Sequence, residues 1–306
     1  MRRRLNIIAI GFVISLTIGE IAVRLLAPAM PPVSIWPTAE MQLKSAQLSA
    51  ITDPPDIVII GSSTSQSSID PKVLAEVTGS DTPYNAALPF STMSSNLVWL
   101  EDVVLANITP RLVIIGIPPW APGRDGEELA NVMREAAGWN ESLLSRLSTL
   151  FRYRGVLADW DNLRARETLL ESGLWTEAGH FTGYYERQLV GADPLLPPSR
   201  AEAMDPASEG ALEGMIGRAN ESGARVALLV EPVCCRIDPN GGNREYLEWL
   251  QARAEDWGVP LWNSHSKDWP ADLFADSRHL NRTGTEIYTR YVGDLVSQSA
   301  TVETGG

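Results

Sequence analysis

Two short stretches near opposite ends of a 306-residue chain carry the residue types for acyl transfer. Gly61-Ser62-Ser63-Thr64-Ser65 directly follows Asp56-Ile57-Val58-Ile59-Ile60. The β-branched apolar run predicts a buried strand. A serine at its carboxyl end sits where the next backbone amides point at a bound anion. Such a serine is also a common N-cap or turn residue. Asp276-Ser277-Arg278-His279-Leu280-Asn281 precedes the last helical stretch. Asp276 and His279, three apart on a loop, can bring carboxylate against imidazole. That fixes the ring's tautomer and stabilises the imidazolium formed when histidine takes a proton from serine. Each stretch alone is common, and the pair in one chain is a much sharper signal.

Composition excludes other chemistries. Lys and Arg number 25 against 38 Asp and Glu, a net charge of −13, so the chain lacks the basic balance of a nucleic-acid binder. Its two cysteines, Cys234 and Cys235, rule out a disulfide framework and four-thiolate metal sites. Being adjacent, they bridge only with strain and are read as small loop or core residues or free thiols. Three histidines, His180, His265 and His279, leave little room for a histidine-rich metal site. His265 reads as a polar loop residue, and His180 as a substrate contact or a structural residue.

The elements that must position these residues alternate between strand and helix. Buried strands are predicted at 56–60, 112–117 and 225–230, with weaker ones at 84–88 and 259–263. Helices are expected over 91–107, around 212–219, over 246–257 up to Gly258, and over 283–296. This pattern predicts an α/β fold, a parallel sheet covered on both faces. Residues 120–206 separate consecutive strands by far more than one crossover needs. They read as a helical insertion, with helices over 129–137 and 142–166. Trp175, Phe181, Tyr184 and Tyr185 in it suit stacking on sugar rings or forming the insertion's own core.

The amino terminus differs. Arg2-Arg3-Arg4 precedes the mostly apolar run Leu5–Leu26, which as a helix would be about 33 Å long, enough for a bilayer core. Residues 1–32 are therefore expected to be a membrane anchor, a transmembrane helix with the arginines cytoplasmic and the remaining chain outside. A signal peptide cleaved near Ala27-Pro28-Ala29 is the rival reading. Glu20 and Arg24, four apart, can pair on one helix face. Residues 33–55 read as a linker, 56–298 as the α/β domain and 299–306 as a flexible tail.

The two chemical stretches resemble the SGNH/GDSL hydrolase superfamily. Its first block, usually G-D-S, is similar to Gly61-Ser62-Ser63, and its last block, D-x-x-H, to Asp276 and His279. The resemblance implies a flavodoxin-like three-layer sandwich and a triad of Ser63, His279 and Asp276. It implies an acyl-serine mechanism on an ester, with no metal or organic cofactor. The second block's oxyanion-hole glycine has no counterpart in Asn85-Ala86-Ala87, so the oxyanion hole the resemblance leaves is the N–H groups of Ser63 and Ala87, with Asn85 assisting. The third block's asparagine is missing too, where the chain reads Gly116-Ile117-Pro118-Pro119. Losing one such donor costs about 10²–10³ in rate.

G-S-S with an N-terminal anchor is similar to the membrane-tethered branches, the D-alanine transfer and alginate-acetylation-type proteins. That resemblance implies an esterase or O-acyltransferase of the inner membrane with a periplasmic or extracellular domain. Its substrate would be acyl, chiefly acetyl, esters of an envelope or extracellular polysaccharide, with a membrane-bound O-acyltransferase as partner. The alternative is a catalytically weak or inactive binding or assembly protein on the same fold.

Overall fold

In the computed structural model, residues 2–26, 36, 38–80, 82–119, 127–140, 147–152, 168–169, 171–189, 203–234 and 242–304 are described. Five strands, β1 (Ile57–Ile60), β2 (Tyr84–Asn85), β3 (Leu112–Ile117), β4 (Arg225–Val230) and β5 (Leu261–Asn263), form one all-parallel sheet in the order β2-β1-β3-β4-β5. The three longest are apolar at nearly every position because both faces are covered. Val58, Ile60, Val113, Ile115, Val226 and Leu228 face one side, and Ile57, Ile59, Leu112, Ile114, Ala227 and Leu229 the other.

Ten helices are named in chain order: α1 (Arg2–Leu26), α2 (Ala39–Ala50), α3 (Ser63–Ser68), α4 (Pro71–Thr78), α5 (Met93–Trp99), α6 (Glu127–Asn140), α7 (Thr149–Arg152), α8 (Pro206–Glu221), α9 (Gly242–Asp256) and α10 (Arg282–Thr304). A π-helical turn, Leu100–Val104, continues α5. Trp99, Leu212, Met215, Tyr246 and Leu250 bring α5, α8 and α9 onto the first face. Leu74, Tyr288, Val292 and Val296 bring α4 and α10 onto the second. The result is a three-layer α/β arrangement. The strand order reverses between β1 and β3, and their carboxyl ends are where open α/β sheets of this order bind ligands.

Four features differ from the sequence reading. The segment read as a linker contains α2, which Thr38 caps by accepting a hydrogen bond from the Met41 N–H and which buries Met41, Leu43, Lys44 and Leu48. The expected tail begins inside α10, which meets no glycine after Gly293 and runs to Thr304. The helix expected at 5–26 forms as α1, yet among the described residues no helix is long and apolar enough to cross a membrane. Within α1, Glu20 pairs with Arg24 at 2.7 Å and accepts from the Thr149 and Leu150 N–H groups and the Ser148 hydroxyl. Cys234 is disulfide-bonded rather than free. Most of the helix expected over 142–166 lies outside the described residues.

Candidate active site

The chain leaves β1 through Gly61 and turns at once into α3. Ser62 makes that turn: its backbone is extended and its Oγ accepts from the Thr64 N–H at 3.3 Å. Ser62 is thus the N-cap, and Ser63 becomes the first helical residue. Among the first amides of α3, Thr64 N–H is taken by Ser62 and Ser65 N–H by Glu231, and among the described residues none claims Ser63 N–H.

A second, buried pair lies beside that turn. Glu231, the first residue after β4, is 2% exposed and accepts a hydrogen bond from the Ser65 hydroxyl. Burial pushes its carboxyl up to about 7, against the pull of the Ser65 hydrogen bonds. Gly61, just past β1, and Gly116, near the carboxyl end of β3, flank this pair. A Cβ on either would collide with Ser65 Oγ, and one on Gly116 would also stand 2.7 Å from Glu231 Oε1. Close approach, not turn geometry, requires glycine at Gly116.

The histidine loop is closed by its own backbone. Ala275 N–H donates to His279 O at 2.8 Å, and Phe274 and Leu280 pair across the loop. Asn281 caps α10 by accepting from Gly284 N–H at 3.0 Å, which fixes where His279 leaves the loop. Asp276 Oδ1 accepts from the backbone N–H groups of Arg278 and His279, each at 2.8 Å, and Oδ2 lies 2.8 Å from His279 Nδ1. On the far side of the ring, His279 Nε2 lies 3.0 Å from Ser63 Oγ. This network assigns the proton to Nδ1 and leaves Nε2 to accept from Ser63. Partial burial opposes the charge on Asp276, but the hydrogen bonds from His279 and Arg278 outweigh it and hold the carboxyl at about 2. Ser63, His279 and Asp276 are therefore brought together at the carboxyl edge of the sheet, beside the β1–β3 reversal.

Two of the three expected oxyanion donors are engaged elsewhere. Asn85 is fully buried, and its Nδ2 donates to Ser65 O and Ile69 O at 2.9 Å and to Gln66 O at 3.3 Å. Its Oδ1 accepts from the Ala87 N–H at 3.2 Å. The amide nitrogen thus closes the carboxyl end of α3, and the amide oxygen occupies the Ala87 N–H. Pro118 and Pro119 have no N–H. Only Ser63 N–H remains of the expected donors.

Several residues near the site were not legible in sequence. Lys44, from α2, is fully buried and donates to Asn85 O and Ala87 O, each at 2.6 Å. Burial lowers its ammonium well below the ordinary lysine value. Phe90 is 91% exposed with φ 56°, in a turn that Leu88 N–H and Ser91 Oγ tie to Gly61 O. A non-glycine residue in that region carries backbone strain.

The insertion's aromatics chiefly pack on one another. Trp175 and Phe181 centroids are 5.0 Å apart, and Phe181 meets Tyr184 edge-on at 5.6 Å. Tyr184 also stacks on His279, centroids 4.1 Å apart. His180 does not reach a substrate position: it is fully buried, and burial lowers it to about 4. Its Nε2 lies 2.8 Å from the Tyr185 hydroxyl, which donates to Asp70 Oδ2 at 3.1 Å. Among the described residues no group of three or more His, Cys, Asp or Glu could hold a metal ion.

No protein-family model matches the chain, and no curated protein does. Among solved structures it is similar to a GDSL-like lipase from Bacteroides thetaiotaomicron at 12% identity and TM-score 0.44, covering 86% of this chain and 98% of that one. It is also similar to a family two carbohydrate esterase from Clostridium thermocellum at 8% identity and TM-score 0.41, covering 81% and 65%. An acetyl xylan esterase from Butyrivibrio proteoclasticus stands at 8% identity and TM-score 0.40, covering 82% and 66%. Likenesses of this order carry no statement about what this chain does.

Proposed function

We propose that this chain is a serine esterase or O-acyltransferase of the SGNH type that works through an acyl-Ser63 intermediate. One observation carries the reading: Ser63 Oγ, His279 and Asp276 form an unbroken hydrogen-bonded series of 3.0 and 2.8 Å. In the proposed reaction His279 Nε2 takes the Ser63 proton as Oγ attacks the ester carbonyl. Asp276 stabilises the imidazolium and holds its orientation. The tetrahedral oxygen is met by Ser63 N–H. The imidazolium then gives its proton to the leaving alkoxide. Water or an acceptor hydroxyl, deprotonated by His279, releases the acyl group.

A hole with one expected donor favours slow, committed transfer over fast hydrolysis. We therefore place the substrate among acyl, chiefly acetyl, esters of an envelope or extracellular polysaccharide, with a membrane-bound O-acyltransferase as acyl supplier. Anchorage through α1 at the inner membrane, with the domain outside the cytoplasm, belongs to the same proposal. Its support is the row of exposed apolar side chains from Ile10 to Leu26 behind three arginines. The second reading, a binding or assembly protein without turnover, is favoured by the commitment of Asn85 and Ala87 elsewhere.

A fluorophosphonate probe distinguishes the two. It should label Ser63 in the wild type, label Ser62→Ala, and spare Ser63→Ala. A wild-type protein that stays unlabelled would sink the enzyme reading. Alkaline phosphatase fused after Gly306 should be active if the topology is right, and a silent fusion would overturn it.

A further inference from the structure

We infer that Tyr184 is a positioning residue for His279, a role that rests on the acyl-serine reading above. The two rings are parallel within 5°, with centroids 4.1 Å apart. Asp276 and Ser63 hold the imidazole by its edges, at Nδ1 and Nε2. Those bonds bend easily, so they leave the ring some freedom to rock about its Cβ–Cγ bond. A flat face against the ring narrows that rocking and keeps Nε2 aimed at Ser63 Oγ.

The face also has an electrostatic use. The imidazole carries no net charge while it accepts from Ser63 and becomes a cation as the proton arrives. An aromatic face within about 6 Å attracts a cation through its quadrupole. This attraction is absent for the neutral ring and grows as Ser63 attacks, so it favours the transition state over the bound substrate. Arg187, its guanidinium carbon 5.2 Å from the Tyr184 centroid, shares the ring and moderates the effect.

Tyr184 is held to both halves of the site. Phe181 N–H donates to Gln66 O at 3.3 Å, on the helix that begins with Ser63. The Tyr185 hydroxyl donates to Asp70, just past that helix, and Tyr185 O accepts from Arg282 N–H, just past His279. Phe181 supports the Tyr184 ring from its edge. The loop is therefore tied to the nucleophile's helix and to the histidine's own segment, and a displacement of either would be felt at the stack.

Tyr184→Ala, Tyr184→Phe and the wild-type full chain should be compared in turnover of p-nitrophenyl acetate and in the rate of fluorophosphonate labelling at Ser63. Loss of the ring should cut kcat and the labelling rate by about three- to thirty-fold, with KM changed much less. Tyr184→Phe keeps the face and should stay within about threefold of wild type. An effect of Tyr184→Ala confined to KM would make the ring a substrate wall and overturn the inference. So would a Phe variant as impaired as Ala, or unchanged rates in Tyr184→Ala. Thermal melting of each variant separates loss of folding from loss of positioning, because a misfolded Ala variant leaves Tyr184→Phe and Tyr184→Trp to decide. A wild type that takes no label at Ser63 would end the acyl-serine reading itself, and the positioning role with it.

Discussion

Replacing Glu231 by glutamine should change how stability depends on pH, and the structure gives the sign and size. The Glu231 carboxyl is raised from 4.5 to about 7 by burial. Between those values the folded chain keeps a proton that the unfolded chain has lost, so raising pH favours unfolding. The stability is fully present below about pH 4.5 and is lost as pH rises through 7, a difference of roughly 3 kcal/mol. Buried His180 has the opposite slope. Its value falls from 6.5 to about 4, so the unfolded chain takes up the proton first as pH drops. That contribution is present above about pH 6.5 and lost toward pH 4, again roughly 3 kcal/mol.

In the wild type the two slopes oppose each other between pH 5 and 6.5. Glu231→Gln removes one of them. At about pH 5 the variant should melt close to the wild type, since a neutral amide replaces a neutral acid. By about pH 8 it should be more stable by up to roughly 3 kcal/mol, or several degrees in Tm, the amide oxygen still accepting from the Ser65 hydroxyl. Melting curves of the purified full chain across pH 5–8 measure the difference. A variant-minus-wild-type Tm that is constant over that range would refute a carboxyl kept neutral by burial.

Other changes have equally definite outcomes. Asp276→Asn should lower the rate on a simple ester by about 10³–10⁴ near neutral pH, because the amide no longer fixes the Nδ1–H tautomer of His279; a loss under tenfold would contradict the assigned orientation. Lys44→Met should lower stability by roughly 1–3 kcal/mol in urea titration, since the carbonyls of Asn85 and Ala87 lose their buried donor. Gly116→Ala should cost roughly 1–3 kcal/mol or more by overpacking against Ser65 and Glu231, whereas Gly210→Ala, with nothing near its Cβ position, should be neutral or slightly stabilising.

The strands were legible because burial on both faces demands unbroken apolar runs such as Leu112–Ile117 and residues 226–230. The grouping of Ser63, Asp276 and His279 was legible for a related reason: a residue just past a parallel strand stands at the sheet's carboxyl edge, and one just before the last helix can reach it. What could not be read were contacts made by side chains that fold back on the backbone. Asn85 looks like a donor for substrate, yet its amide spans two carbonyls of α3 and that of Ile69 just past it, and no spacing announces that. Lys44 sits in a segment with little amphipathic contrast, so α2 left only the Thr38 cap and good helix formers as its signal. Glu231 offered a clearer hint, an acid directly after the apolar run 226–230, near Gly61 and Gly116.

The central claim is that Ser63 becomes acylated with the help of His279. Mixing the purified chain with p-nitrophenyl acetate, quenching in acid and digesting for mass spectrometry tests it most directly. The account predicts an acetyl group on Ser63 in the wild type, formed in a burst before slow turnover, and almost none in His279→Ala. Turnover that persists in Ser63→Ala, or an acetyl group on Ser62 in place of Ser63, would contradict it.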